Sequence, residues 1–399
     1  MIKKWTAVTL SVLLFLGLSQ TLVLAEETDL APNAKSAMLI DMDTGTVLYE
    51  KNSHQRLHPA SITKVMTMLL LMEAIEEGST SLTDSVRVSE YAASMGGSQI
   101  YLEPGEEMTV RDLLKGIAVA SANDASVAIA EHLAGTEEAF VKHMNERAKQ
   151  LGMKDTQFVN ASGLPAPEQL TSAHDIAIMS RELLKYEAVT DFTKIYQDYL
   201  RQDSEKPFWL VNTNKLVRFY DGVDGLKTGY TSEAKFCLSA TAKRDNFRVI
   251  AVVMGEPNTK TRNAEVSRML DYAFGQYTNH VLVRAGEDLG LVQVDKGDPP
   301  TVTVKSPQQM SVLAKKGSQP EEFTYETVWQ DNLKAPLKAG DPIGEVRIKK
   351  GDEIVSKFPL TVQEAIPKAG WWKMTKRSVK KMLFIPDEAQ DPEIDKRQD

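Results

Sequence analysis

Three short groups of residues carry side chains suited to acyl-transfer chemistry. Ser61-Ile62-Thr63-Lys64 places a hydroxyl and an amine three residues apart at the start of an apolar run. On a helix that spacing puts both side chains on one face, a turn apart. A lysine accepts a serine proton only when neutral, so its pKa must fall from about 10.4 toward about 7–8. Burial and a neighbouring cation both push it that way. The same spacing recurs at Ser232–Lys235 and Ser378–Lys381, but neither opens a buried helix. Ser121-Ala122-Asn123 offers a hydroxyl that can relay a proton to a leaving amine and an amide that can hold a substrate amide. Serine and asparagine also favour ordinary turns, so this group is weak alone. In Lys227-Thr228-Gly229 the lysine and threonine can bind a carboxylate, and the glycine leaves room for a substrate backbone along a strand edge.

Other chemistries find less support. The single cysteine, Cys237, excludes an intrachain disulfide and a cysteine zinc cluster, and the six histidines form no H-E-x-x-H. No metal is expected and no cofactor is called for. There is no G-x-S-x-G. A net charge of −8 argues against nucleic-acid binding. With 42% hydrophobic and 26% charged residues, the chain of 399 can bury a substantial core and is neither a membrane bundle nor disordered.

The elements that must position these groups lie far apart in sequence. Residues 36–40 and 46–50 flank Asp43-Thr44-Gly45 as a hairpin. After Pro59, residues 65–75 form a helix that is apolar nearly all round and therefore buried, ending at Gly78. Thr109–Asp112 reads as a capping box opening a helix to about Ala120. A second helix runs from about Asp124 to Leu133, with Ser121–Asn123 at the junction. Helical signals follow over 137–151 and 172–185. Residues 236–243 and 247–255 form a hairpin, and a helix covers about 260–275.

The ends differ from this body. Residues 1–25 combine a basic start, an apolar run and small residues at Val23–Ala25, the pattern of a cleaved signal peptide. The loss of Lys3 and Lys4 would take the net charge to −10. Residues 281–365 hold short β-rich pieces broken by Gly, Pro and Asp, a small all-β domain. Residues 366–386 form an amphipathic helix with Trp371 and Trp372 on the apolar face. Six basic groups, Lys368, Lys373, Lys376, Arg377, Lys380 and Lys381, occupy the other. That composition fits a helix lying on an anionic membrane surface, and an acidic tail, 387–399, follows.

The three groups in this order, in a chain with an export signal, resemble the active-site serine penicillin-recognising enzymes. The layout with a β-domain and basic tail is similar to the low-molecular-mass D-alanyl-D-alanine carboxypeptidases. Gly222–Thr231 with Glu233–Cys237 looks most like their sporulation-associated Gram-positive branch. The resemblance implies an α/β (α+β) transpeptidase-like catalytic domain over 26–280, with an antiparallel sheet and a helical subdomain. It implies removal of the terminal D-alanine from peptidoglycan stem peptides, through an acyl-enzyme that β-lactams also form. The enzyme would sit at the outer face of the cytoplasmic membrane.

It implies roles as well. Ser61 would be the nucleophile, Lys64 its base, and Ser121 the relay to the departing D-alanine. Asn123 would hold the substrate and orient Lys64. Lys227 would supply positive potential, Thr228 would bind the terminal carboxylate beside Gly229, and the N–H groups of Ser61 and Tyr230 would form the oxyanion hole. Arg262 matches a basic residue near the substrate carboxylate, against a reading as a solvated helix charge. Asp175 matches a supporting position, against a reading as a helix N-terminal acid. Ala122, Tyr230 and Lys235 depart from residues frequent in relatives. A β-lactamase, which would need a water-activating group such as E-x-x-L-N, a transpeptidase or endopeptidase, and a non-catalytic wall-binding protein are the alternatives.

Overall fold

The computed structural model describes residues 29–205 and 207–382. The signal segment 1–25, its cleavage site and the tail 387–399 lie outside the described residues.

A five-stranded antiparallel sheet centres the first part of the chain. It is built from β1 (Ser36–Asp41), β2 (Val47–Lys51), β3 (Val223–Thr231), β4 (Lys235–Arg244) and β5 (Phe247–Glu256), in the order β2-β1-β5-β4-β3. Strand side chains alternate faces, and here both faces are covered. Ala37, Leu39, Val249, Ala251 and Val253 pack with Val266, Met269 and Leu270. Met38, Ile40, Ile250, Val252 and Met254 enter the larger core of the helical part.

The longer helices are α1 (Lys64–Glu76), α2 (Val110–Lys115), α3 (Asn123–Ala134), α4 (Glu137–Gln150), α5 (Ala173–Leu183) and α6 (Thr259–Gln276). As its composition requires, α1 is buried nearly all round, from Lys64 through Met72. Thr109 caps α2 by accepting from Asp112 N–H. That helix widens into a π turn, Gly116–Ala120, and stops at Ser121, whose φ of 63° is left-handed. The junction is thus sharper than an ordinary turn and swings Ser121 and Asn123 to one side.

The second part begins at Tyr277, a few residues before the expected boundary. Its strands are β6 (Tyr277–Val283), β7 (Asp288–Gln293), β8 (Thr301–Lys305), β9 (Met310–Lys315), β10 (Phe323–Trp329), β11 (Pro342–Lys350) and β12 (Glu353–Thr361). They pair as β6-β9, β7-β8 and β10-β11-β12 around their own core of Val283, Val312, Val346, Ile348 and Phe358. Polar contacts join the two parts. Asn279 Nδ2 donates to Asp41 Oδ1 at 2.9 Å, and Gln309 and Ser311 donate to Asp43. A last helix, α7 (Trp371–Met382), leaves Trp371 and Trp372 73% and 72% exposed. Its Lys373 and Arg377 turn inward, to Asp298 at 2.6 Å and to Gly297 O at 2.7 Å.

Candidate active site

Ser61 lies in the 3₁₀ turn Ala60–Thr63 that leads into α1. The residue before it, Ala60, has a left-handed φ of 48°. A non-glycine residue there is strained, so the surroundings must hold the turn. Two glycines allow them to approach. A Cβ on Gly163 would lie 2.0 Å from Ala60 O, and one on Gly229 would lie 2.8 Å from Pro59 O. The loop after Asn160 and strand β3 therefore clamp the serine turn from two sides. Gly229 meets the serine turn itself, where the sequence suggested room for substrate.

Lys64 Nζ is fully buried and reaches three oxygens: Ser61 Oγ at 3.2 Å, Asn123 Oδ1 at 2.6 Å and Ser162 O at 2.5 Å. A neutral amine has two N–H groups and one lone pair. Donating the two to Asn123 and Ser162 leaves the lone pair facing the Ser61 hydroxyl. Burial drives Lys64 well below its ordinary pKa, and the charge of Lys227 adds to that, with Asp124 opposing. Asn123 is itself fixed, its Nδ2 donating to Gly96 O at 2.7 Å. Ser121 is buried beside it, and its hydroxyl takes no hydrogen-bond partner among the described residues.

On β3, Lys227 is also buried; burial and then Arg262 lower it to about 7. Its ammonium donates to Thr228 O at 3.1 Å. Thr228 Oγ1 meets Thr213 Oγ1 at 2.7 Å, giving two adjacent hydroxyls at the sheet edge. Tyr230 is exposed and its ring lies 4.4 Å from that of Phe236. Arg262 is 4% exposed and donates to Asn263 Oδ1 at 2.9 Å, so it is no solvated helix charge. Burial lowers it to about 10. Asp175 stands in the first turn of α5, capped by Ser172, and also accepts from Asp155 N–H and Thr156 Oγ1, both at 2.8 Å. It thus ties residues 155 and 156 to the start of α5.

Ser61, Lys64, Asn123, Lys227 and Arg262 are thus linked by contact or charge, with Ser121 adjacent. Asp175 remains apart from them, acting on the base of the loop that carries Ser162. Sequence reasoning missed Ser162, Gly163, Thr213 and Asp124. Ser162 acts through a backbone carbonyl, which no residue type announces. Asp124 accepts from Ile100 N–H and Leu102 N–H at 3.1 Å, fixing the segment around Asn123. The only available hints were Asn160-Ala-Ser-Gly163, a turn-like group, and the polar triplet Asn212-Thr-Asn214.

Residues 23–258 match the family described as D-alanyl-D-alanine carboxypeptidase, and residues 277–368 match the C-terminal domain of penicillin-binding protein 5. The D-alanyl-D-alanine carboxypeptidase DacF of Bacillus subtilis (strain 168) is 52% identical over 352 residues, 88% of this chain and 90% of the relative. Among solved structures, penicillin binding protein 5 from Haemophilus influenzae is 31% identical with a TM-score of 0.66, covering 84% of this chain and 98% of that one. Penicillin-Binding Protein D2 from Listeria monocytogenes, in its cefotaxime-bound form, is 30% identical with a TM-score of 0.55, over 61% of this chain and 97% of that one. A serine turn, a buried lysine and an edge strand carrying Lys227 and Thr228 on this fold thus have a common explanation: the chain belongs to the D-alanyl-D-alanine carboxypeptidase family and is a serine-type hydrolase of peptidoglycan stem peptides.

Proposed function

We propose that Ser61 is the nucleophile of this reaction and Lys64 its base. The observation that carries the reading is the Lys64 environment: a buried amine with two acceptors for its N–H groups and the serine hydroxyl at 3.2 Å. The substrate's terminal carboxylate sits at Thr228, within the field of Lys227 and Arg262. The N–H groups of Ser61 and Tyr230 receive the developing oxyanion. The Ser61 proton passes to Lys64 as the carbonyl is attacked. Ser121 delivers a proton to the departing D-alanine nitrogen, leaving Ser61 acylated, and water then releases the acyl chain. Gly229 lets β3 pass close under the serine turn. Asp175 holds the loop base.

The test is a fluorescent penicillin followed by peptide mapping. The adduct is expected on Ser61, and D-alanine release from an acyl-D-Ala-D-Ala peptide is expected from the same preparation. An adduct elsewhere would refute the assignment, and rapid penicillin turnover would favour a β-lactamase.

A pH profile is a second check. Activity needs Lys64 neutral, so it rises with pH through that group's lowered pKa. It also needs Lys227 charged, so in the free enzyme it falls as Lys227, at about 7, loses its proton. The kcat/KM profile is therefore a bell whose limbs belong to the coupled pair. A profile flat between about pH 6 and 10 would contradict these roles.

Members of this family act on the cell wall, which fits an exported or membrane-associated protein, and among the described residues no helix is long and apolar enough to cross a membrane. We propose that 1–25 directs export and that the segment 366–386 binds the anionic membrane surface through its outward tryptophans. The support is the exposure of Trp371 and Trp372, while Lys373 and Arg377 hold the helix to the β-domain. Trp371→Ala with Trp372→Ala should release the protein from anionic vesicles, and unchanged binding would refute the anchor. The 52% identity to the Bacillus relative supports the Gram-positive branch.

A further inference from the structure

Strand β5 ends on a carboxyl group that nothing satisfies. Glu256 is fully buried, and neither of its carboxyl oxygens has a hydrogen-bond donor among the described residues. An ionised carboxylate does not persist in such a place. Its neighbour on α6, Glu265, is equally buried but well served. The Glu265 carboxylate accepts from the N–H groups of Asn33 and Ala34 and from Asn33 Nδ2, the last at 2.6 Å. Glu265 therefore keeps the charge, and the proton belongs on Glu256, where it makes the hydrogen bond between the two carboxyls. Burial first, and then Glu265, push Glu256 up to about 8.

Arg262 lies one helical turn before Glu265 on α6. Its guanidinium is buried, has no carboxylate partner among the described residues, and donates to Asn263 Oδ1 of its own helix. A guanidinium beside an ionised carboxylate closes into a charge-assisted pair. Here the two groups feel each other's field and remain unpaired. A neutral Glu256 accounts for both open partners, and it leaves the charge of Arg262 to act on Lys227. The other charges around Glu256 are committed. Lys51 on β2 donates to Asp29 at 3.1 Å and to two backbone carbonyls. Lys35, ahead of β1, packs over Gly255. Cys237 on β4 is a thiol that burial pushes up to about 11.

We propose that Glu256 is a positioning residue for the carboxylate end of the cleft: protonated and bonded to Glu265 it leaves Arg262 to the substrate, and on losing its proton to solvent it draws Arg262 away. This rests on the preceding placement of the substrate carboxylate within the field of Arg262.

The test is a ratio. KM and kcat for D-alanine release from Nα-acetyl-lysyl-D-Ala-D-Ala are measured between about pH 6 and 10 in the full-length protein and in Glu256→Gln, which fixes the neutral form. The KM of the unmodified protein divided by that of the variant should be about one at the acid end. It should rise to about five at the alkaline end, the scale of one ion pair, with its midpoint at about 8. The kcat ratio should stay near one, because the carboxylate is held alike in ground and transition states. Loss of the Lys227 proton is common to both proteins and cancels. A merely structural Glu256 gives a KM ratio that does not change with pH, and that result would overturn the proposal. Glu265→Gln carries the opposite expectation. Its amide donates to Glu256 and removes a like charge, so KM should already be high at the acid end, and a normal KM there would also count against the proposal. In an Arg262→Gln background the effect of Glu256→Gln should vanish. If Arg262→Gln alone left KM unchanged at the acid end, the placement of the substrate carboxylate near Arg262 would fall, and the role of Glu256 with it.

Discussion

Ser61→Ala, Lys64→Met and the double variant are expected to lose D-alanine release to one common floor, about 10⁴-fold or more below the unmodified enzyme. The losses do not multiply, because the serine is a nucleophile only while the amine takes its proton. The expectation rests on distance: Lys64 Nζ lies 3.2 Å from Ser61 Oγ, and both remaining amine directions end on fixed acceptors. Methionine keeps the length and apolar contacts of the lysine stem. It leaves Asn123 Oδ1 and Ser162 O without their donor, which costs about 1–3 kcal/mol for each buried acceptor, but it also removes the burial penalty of the amine. Stability should therefore change little while activity collapses. D-alanine release by chromatography and melting by circular dichroism read the two separately. If Lys64→Met kept more than about a hundredth of the activity, a different base would be required.

The second large effect needs no catalytic group. Gly163→Ala should lower acylation by fluorescent penicillin about 100-fold, the scale of a 1 Å misplacement, and should also lower the melting temperature. Two causes act together. The residue has a φ of +83°, and a new Cβ would fall 2.0 Å from Ala60 O. Neither backbone can yield cheaply, since Ala60 is itself left-handed and the loop also carries the Ser162 carbonyl. Gly78→Ala is the control. Its φ of +74° imposes similar backbone strain, but nothing among the described residues lies within 4 Å of the new Cβ. It should melt lower and keep its activity. Equal activity in both variants would show that the clamp does not position the serine.

The sequence made the reactive side chains visible and left their supports hidden, for a physical reason. Ser61 and Lys64 share a helix start, so local spacing places them on one face, and the apolar run after them announces the burial that Lys64 needs. Ser121 and Asn123 are legible as a break between helices, although the widened turn that aims them is not. Lys227 and Thr228 can be read as a strand, but that this strand lies at the sheet edge follows from its pairing with β4 alone. Ser162, Thr213 and Asp124 escape because their roles are long-range and partly carried by the backbone. Arg262 is pointed to by the resemblance alone, because a cation on an amphipathic helix normally faces water, and only the tertiary fold buries it. Gly229 shows the same limit: its type announces a close approach, but the sequence cannot say that the approaching group is the serine turn.

The two buried lysines have one more consequence. Both are protonated in an unfolded chain, with pKa values near 10.4, whereas folding brings Lys227 to about 7 and Lys64 well below its ordinary value. Between those values the unfolded chain binds more protons than the native one, so these residues make stability rise with pH from about 7 upward. Folding thus expels protons into the solvent. An anion seated beside Lys227 reverses the flow, because it restores the charged amine. Above neutral pH, each ligand that brings a carboxylate to β3 should draw a proton from the buffer, and the heat measured on binding should vary with the ionisation enthalpy of that buffer.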